Sequence, residues 1–128
     1  MKETERYKFK PQDKKIINIF TELGMPRNLA KTLMYILQVD ECKSADIEHG
    51  ADLRQPEVSV TLRELRQRGW VKKWELNKKG KGRPVHIYKS TTHLSEILRV
   101  FEQEKLKEVE SVKKDILELK NIIESNCL

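Results

Sequence analysis

The sequence has little of what marks a secreted or membrane protein. Its 128 residues include two cysteines, Cys42 and Cys127, which lie far apart and form no close-spaced pair. No apolar run approaches the roughly 20 residues that a membrane-spanning helix needs. The polar N-terminus has no apolar stretch of the kind that a secretory signal contains. We therefore expect a cytoplasmic protein of one domain with an appended element, without a disulfide framework or a membrane anchor.

The sequence also lacks the patterns of catalytic and metal sites. It contains no nucleophile elbow, phosphate-binding loop or convincing acid–base pair, so we predict no enzyme activity and no cofactor. The candidate metal ligands form no Cys-x-Cys or His-x-x-His cluster, and they are Cys42, His49, His86, His93 and Cys127. We therefore expect no metal site. We interpret Cys42 as a buried small residue rather than a redox switch.

Positive charge is concentrated in one part of the chain. The whole chain has a net charge of +6, but residues 54–89 alone carry eleven Lys and Arg against three Glu. Residues 1–53 are balanced, and residues 91–128 are slightly acidic. A basic block between balanced or acidic ends predicts a surface that binds a polyanion. A basic surface that is merely solvated is the alternative on charge alone.

Apolar periodicity, Pro and Gly predict the order of the elements. Residues 1–10 are polar and lack periodicity, which predicts a flexible polar arm. The expected buried stripe of the first helix consists of Ile16, Ile19, Phe20 and Leu23. We predict helices that begin near Pro11, near Pro26, at an N-cap Ser44 and near Pro56, then strands over residues 71–76 and 85–89, and a long helix from about Leu94 to Asn126. The fold class is thus mainly α with a small antiparallel β-element.

The helix predicted over residues 54–68 has two unlike faces. Val58, Leu62 and Leu65 fall at i, i+4 and i+7 and form a stripe that faces a core. The other side presents a mostly polar set: Arg54, Gln55, Glu57, Ser59, Val60 and Arg63. Arg can bind guanine through two hydrogen bonds, and Gln can do the same for adenine, in a major groove that admits an α-helix. Glu57 has two interpretations, contact with cytosine or stabilisation of the helix N-terminus.

The loop over residues 77–84 joins the two predicted strands. It is too long for a two-residue hairpin, and it contains two glycines and four basic residues, namely Lys78, Lys79, Lys81 and Arg83. A projecting basic loop of this kind is suited to contact with phosphates, and Gly82-Arg83-Pro84 is similar to short segments that place Arg in a narrow minor groove. An unconstrained basic turn is the alternative.

The last predicted helix carries a heptad pattern. Apolar residues follow a 3,4,3,4 spacing at Val109, Val112, Ile116, Leu119 and Ile123. This spacing is typical of the a and d positions of a coiled coil. We therefore predict that the helix mediates a homodimer. The pattern leaves open whether the two helices run parallel or antiparallel.

Residues 54–71 resemble the turn and recognition helix of the ArsR and MarR families and of archaeal TrmB-type regulators. The resemblance is carried by Gln55-Pro56, Val58-Ser59, Leu62 with Leu65, and Gly69-Trp70-Val71, and it covers about residues 25–90. It implies a winged helix-turn-helix DNA-binding domain over residues 11–90, followed by a coiled-coil dimerisation helix over 91–128. The function it implies is sequence-specific binding of double-stranded DNA by a dimeric transcription regulator.

Two other functions remain to be weighed against this one. A winged helix can serve as a protein-interaction module in a transcription or assembly complex, and the heptad helix could then bind a different protein. Binding of RNA or single strands is disfavoured because Trp70, Trp74 and Tyr88 are the only aromatic residues available for stacking in the basic block. The sequence leaves open the operator, the direction of regulation and any small-molecule or protein effector.

Overall fold

Four helices and three strands form the first of two units in the computed structural model, which describes residues 7–76 and 82–128. The units are Met1–His93 and Leu94–Leu128. In chain order the first unit contains α1 (Pro11–Glu22), α2 (Arg27–Val39), β1 (Glu41–Cys42), α3 (Ser44–Gly50), α4 (Gln55–Gln67), β2 (Val71–Leu76) and β3 (Val85–Ser90). The second unit is the single helix α5 (Leu94–Asn126). Among the described residues, no helix combines the length and apolar character that a membrane crossing requires.

A buried carboxylate organises the start of α1. Asp13 is buried and accepts hydrogen bonds from the hydroxyl of Tyr7 and from the backbone N–H of Lys10, the latter at 2.9 Å. Tyr7 and Phe9 are half-buried, and each ring makes an edge contact with the ring of Tyr35 on α2. Residues 7–10 are therefore held against the helices, whereas the sequence predicted a free arm over residues 1–10. Residues 1–6 lie outside the described part.

The buried face of α1 differs from the expected stripe. Ile17 and Phe20 are buried, but Ile19 and Leu23 are exposed. Asp13, Ile17 and Phe20 follow one another at i, i+4 and i+7, so the polar Asp13 occupies a place on the buried face. The prediction holds for Phe20, and Ile16 is half-buried, but it was wrong for Ile19 and Leu23. It counted apolar residues alone, whereas Asp13 is buried because it gains hydrogen bonds from residues that precede the helix.

Helix α2 forms the centre of the first unit. The helical spacing of Leu29, Leu33, Ile36 and Leu37 predicts a buried stripe; the first three are fully or almost fully buried, and Leu37 is half-buried. The helix packs against α1 and α4. Between α2 and α4, the buried hydroxyls of Thr32 and Thr61 lie 2.9 Å apart in a hydrogen bond.

Gly50, the last residue of α3, packs so closely against Tyr35 of α2 that no side chain fits at this position. A Cβ atom there would lie 1.9 Å from Cε1 of the buried Tyr35 ring. At the other end of α3 the N-cap is Lys43 rather than the predicted Ser44, because the carboxylate of Asp46 accepts the backbone N–H of Lys43 at 3.0 Å. The side chain of Asp46, in the first turn, therefore caps the start of α3, a role that the sequence assigned to Ser44.

Helix α4 ends at the glycine that the sequence indicates. Gly69 has φ +80, and the N–H of Trp70 donates to the carbonyl of Leu65 at 3.0 Å, which closes the helix end. Trp70 is buried directly after this turn. The chain then enters β2, so the turn fixes where the hairpin begins relative to α4.

The sheet has three strands in the order β1-β3-β2, all antiparallel. The hairpin of β2 and β3 was predicted, but β1 was not. Glu41 and Cys42 pair with Lys89 and Tyr88 and make β1 the second neighbour of β3. A two-residue strand carries no period-2 pattern, so nothing in its own sequence identifies it.

Helix α5 spans Leu94–Asn126, as predicted. Ile97 and Phe101 near its start are buried. From Leu106 to Leu128 every residue is exposed, including the whole predicted dimerisation stripe.

Candidate nucleic-acid interface

Glu57, for which the sequence left two roles open, stabilises the N-terminus of α4. Arg54 is the N-cap, with extended backbone angles, and its N–H donates to Oε1 of Glu57 at 2.8 Å. Pro56 lies in the first turn, where its missing N–H costs nothing. One carboxylate oxygen of Glu57 is thus engaged in stabilising the helix start, which is the second of its two predicted roles.

The two faces of α4 separate as the sequence indicates. Val58, Leu62 and Leu65 are buried. The predicted binding residues other than the half-buried Glu57 are exposed, and these are Arg54, Gln55, Ser59, Val60 and Arg63. Gln55, Ser59 and Arg63 follow one another at intervals of four residues, so they form one continuous row along the helix. Hydrogen-bonding groups therefore line the outer surface of a helix whose inner surface is fixed in the core.

A polar cleft of about 220 Å³ runs beside this row. It is lined by Ser44, Gln55, Ser59, Leu62, Arg63, Arg66, Lys73 and Tyr88. Among the residues that the structure describes, three cationic side chains and no carboxylate border the cleft, although α3, α4, β2 and β3 all contribute to it. The arrangement favours an anionic ligand that extends along α4 and reaches the hairpin.

The hairpin has two faces, and only one of them borders the cleft. Lys73 pairs across the strands with Tyr88, and both residues line the cleft. Lys72 pairs with Lys89, and neighbouring residues of a strand point to opposite sides, so these two lysines lie on the other face. The hairpin therefore has one lysine, Lys73, at the cleft and two lysines, Lys72 and Lys89, on the opposite face.

The loop at the tip of the hairpin is described only in part. Arg83 is exposed and follows Gly82, which has φ +71. Lys78, Lys79 and Lys81 fall outside the described residues, so their predicted role in binding stays a prediction.

Of the comparisons with known proteins, the one with solved structures identifies the fold. No family model matches the chain, and no curated protein matches it in sequence. Among solved structures, a protein from Methanosarcina mazei Go1 described as a possible transcriptional regulator is similar, with a TM-score of 0.60 and 14% identity over 81% of this chain and 86% of that chain.

Two further structures are similar over most of this chain. TrmBL2, an archaeal chromatin protein with a novel mode of DNA binding, has a TM-score of 0.54 at 15% identity over 87% of this chain. This chain matches 43% of TrmBL2, less than half its length. NadR in complex with 4-hydroxyphenylacetate has a TM-score of 0.50 at 13% identity over 98% of this chain and 96% of that chain.

Helices α2, α3 and α4 followed by the β2–β3 hairpin have the element order of a winged helix, and the chain is similar to these structures with TM-scores of 0.50 to 0.60. The chain has a winged helix-turn-helix fold. From its position in this fold we refer to α4 as the recognition helix, and to the hairpin of β2 and β3 as the wing of the winged-helix unit.

Several residues of the cleft were not among the predicted binding residues. Arg66 was placed only beside the binding face, and Ser44, Lys73 and Tyr88 were not assigned to it at all. Alternation along β2 shows that Lys72 and Lys73 point to opposite faces. Only the pairing of the wing with its neighbours shows which face borders the recognition helix, and that pairing is long-range.

Two basic residues near the recognition helix have structural partners. Nε of Arg68 lies 3.4 Å from Oε2 of Glu64, and its guanidinium lies 5.0 Å from the centre of the Trp70 ring. Arg68 thus covers Trp70 and neutralises Glu64. On the wing, the ammonium of Lys72 lies 5.7 Å from the centre of the exposed Trp74 ring, on the face away from the cleft.

A larger cavity of about 530 Å³ lies elsewhere in the winged-helix unit. It is lined by Lys8, Phe9, Lys14, Ile17, Asn18, Arg27, Lys31, Gly50, Ala51 and Asp52. Arg27 is held there by a 3.0 Å hydrogen bond to Oδ1 of Asn18. Its lining carries charges of both signs, since Asp52 borders it together with Lys8, Lys14, Arg27 and Lys31, whereas, among the described residues, the lining of the cleft beside α4 contains only cationic charges.

The cysteines differ in accessibility. Cys42 on β1 is buried, and burial together with the nearby carboxylates of Asp46 and Glu41 raises its pKa to about 12. Such a thiol stays protonated at neutral pH and is a poor nucleophile. Cys127 is exposed. Within residues 7–76 and 82–128, no three His, Cys, Asp or Glu side chains come together in a way that could hold a metal ion.

Proposed function

We propose that the protein binds double-stranded DNA sequence-specifically as a dimeric transcription regulator. The recognition helix lies in the major groove, where Arg54, Gln55, Glu57, Ser59, Val60 and Arg63 face the bases and the phosphates beside them. Arg83 and the basic residues Lys78, Lys79 and Lys81 of the wing contact the DNA backbone or the minor groove.

The observation that carries this proposal is the composition of the recognition helix's outer row and its cleft. Gln55, Ser59 and Arg63 form a continuous row of side chains that hydrogen-bond, and the adjoining cleft adds Arg66 and Lys73 with no carboxylate among its lining residues. Base-edge readers on the helix and cations at its flank are the two parts that a groove-binding helix needs. The structural similarity to TrmBL2, described as having a novel mode of DNA binding, is in keeping with DNA binding by this fold.

Dimerisation supplies the remaining part of the proposal. A single recognition helix covers only a few base pairs, and two helices about 34 Å apart can contact successive turns of the same side of the duplex. The exposed stripe of Val109, Val112, Ile116, Leu119 and Ile123 on α5 provides the surface through which two copies associate. Burial of this apolar stripe stabilises the pair.

The proposal predicts that Arg63→Ala changes specificity. Binding sites are first selected from genomic DNA, and affinities for the preferred site and for a random duplex are then measured by gel-shift titration at fixed salt. A bidentate contact between arginine and guanine gives about 1–3 kcal/mol of discrimination, so we expect roughly 5- to 150-fold weaker binding to the preferred site. Binding to the random duplex should weaken much less.

Lys15→Ala is the matched control, since Lys15 is an exposed residue of α1 and its loss removes the same charge. It should leave both affinities nearly unchanged. Equal losses on both duplexes for Arg63→Ala would show that Arg63 contacts only phosphate. If the unaltered protein shows no salt-sensitive, sequence-preferring retardation, the proposal fails and the protein-interaction function takes its place.

A further inference from the structure

The exposed stripe on α5 sets a heptad register for the whole second half of the helix. With Val109, Ile116 and Ile123 at a positions, Val112 and Leu119 fall at d positions. The exposed fractions of these five side chains run from 45% to 58%, so the stripe is open along its full length. Such a regular apolar surface on an exposed helix is suited to a second helix.

The residues beside the stripe carry charges of opposite sign on its two edges. Between Glu108 and Lys120 the e positions are Lys113 and Lys120, and the g positions are Glu108 and Asp115; the g position of the following heptad is the apolar Ile122. All four charged residues are exposed. One edge of the stripe is therefore basic and the other acidic over two successive heptads.

From this pattern we infer that two copies of α5 pair in parallel, as a two-stranded coiled coil. In a parallel pair, each g residue faces the e residue of the following heptad on the other helix, five positions further along. Glu108 then faces the partner's Lys113, and Asp115 faces the partner's Lys120. Every such contact in these heptads joins opposite charges, and the symmetry of the pair forms each contact twice.

The antiparallel arrangement brings like charges together. In that arrangement e positions face e positions and g positions face g positions, so lysines oppose lysines and carboxylates oppose carboxylates. Such contacts are destabilising. The same apolar stripe is buried in both arrangements, so the charged edges decide the orientation.

The apolar positions are in keeping with two strands. The a positions carry only the β-branched residues Val and Ile, and the d positions carry Val112 and Leu119. In parallel coiled coils, β-branched residues at a with Leu at d favour dimers. Because Leu94 follows directly on His93, a parallel pair attaches both winged-helix units at the same end of the paired helices. The inference rests on the dimer of the proposed function and adds its orientation.

Reversing one charged edge distinguishes the two orientations. In a parallel pair, Lys113→Glu with Lys120→Glu turns every attractive contact into a repulsive one, and the dimer dissociation constant should rise by at least about tenfold. In an antiparallel pair the same change only replaces lysine pairs with glutamate pairs and leaves the constant nearly unchanged. Sedimentation equilibrium of the full-length protein at low salt measures the constant.

Two further variants make this test specific. Lys107→Glu with Lys114→Glu changes the net charge equally but at f positions, which face away from the partner, so it should have little effect. Adding Glu108→Lys and Asp115→Lys to the e-position variant should restore the original affinity in a parallel pair. The inference would be overturned if the e-position variant changed the dimer dissociation constant no more than the f-position control does. It would also be overturned if the four-residue variant did not restore the original dissociation constant.

A distance measurement provides an independent readout. The protein is spin-labelled at Cys127, the exposed cysteine one residue after α5, while the buried Cys42 stays unmodified. In a parallel pair the two labels lie side by side, within about 20 Å, because packed helices are about 10 Å apart. In an antiparallel pair centred on Ile116 they are separated by about 33 Å, at a rise of about 1.5 Å per residue.

The outcomes separate this inference from the proposed function. A dimer with the longer label distance refutes the parallel orientation and leaves the proposed dimeric regulator intact. A protein that remains monomeric at micromolar concentration refutes both the pairing and the dimeric form of the proposed function. DNA binding is measured separately, by the Arg63 titration.

Discussion

At the scale of single residues, a pair of buried hydroxyls links the recognition helix to the centre of the fold. The hydroxyl of Thr61 donates its one hydrogen to the carbonyl of Val58 at 3.0 Å. In the bond between the two threonines, Thr32 is therefore the donor and Thr61 the acceptor. Both side chains are buried, and Thr32 is completely so. Removing the acceptor leaves a buried donor without this partner, which is costly because a buried polar group loses its hydrogen bond.

We expect Thr61→Val to destabilise the protein by about 1–3 kcal/mol and Thr32→Val to cost less, because Thr61 keeps its bond to Val58. The double variant should be less destabilised than the sum of the two, since it removes both polar groups together. Urea denaturation monitored by circular dichroism measures all three. Additive losses would show that the two hydroxyls contribute independently.

The residues of the site differ in how far sequence can predict them. The outer row of the recognition helix was predictable because helical periodicity is local, and Val58, Leu62 and Leu65 fix which side is buried. The role of Glu57 at the helix start could be stated only as one of two alternatives. Lys73 and Tyr88 were missed because the pairing within the hairpin does not show which face of the hairpin borders α4.

At the scale of elements, the wing provides a comparison between its own two faces. Lys73 lines the cleft beside the recognition helix, whereas Lys89 lies on the opposite face of the same sheet. Both residues are exposed and carry the same charge. If the cleft face meets DNA, only one of these lysines neutralises a phosphate.

We therefore expect Lys73→Ala to weaken binding to all duplexes alike and to lower the slope of log K against log salt by about one. Lys89→Ala should leave the slope as it is. Fluorescence anisotropy over a series of salt concentrations measures both. Equal slopes for the two variants would place the wing in another orientation on the DNA.

The elements themselves were predicted unevenly. Helices α4 and α5 and the wing strands carry strong periodic or turn signals, and their observed bounds agree with prediction within one or two residues. Strand β1 was missed because two residues are too few for a pattern. The buried face of α1 was misassigned because Asp13, a charged residue, occupies it through bonds to Tyr7 and Lys10.

At the scale of the whole molecule, the proposed function makes DNA affinity depend on pairing through α5. Two linked recognition helices bind a double site far more tightly than one, since the second contact becomes intramolecular. Ile116→Asp places a charge in the middle of the apolar stripe and should produce a monomer. We expect its affinity for a duplex with two half-sites to fall by about 100-fold or more, with little change for a single half-site.

Leu117→Asp is the matched control for this experiment. Leu117 is as exposed as the residues of the stripe, but it occupies a b position, which faces away from the partner. It should keep both the dimer and the affinity for the double site. Equal effects of the two substitutions would mean that the heptad register assigned to α5 is wrong.

The close approach of Gly50 to the ring of Tyr35 constrains how this sequence can diverge. Because the ring fills the volume that any larger residue at position 50 requires, neither position can gain bulk without a compensating reduction at the other. Tyr35 is also the ring that Tyr7 and Phe9 contact, so a smaller residue there loosens the N-terminal segment as well. Descendants of this sequence should therefore retain both residues or change them as a pair.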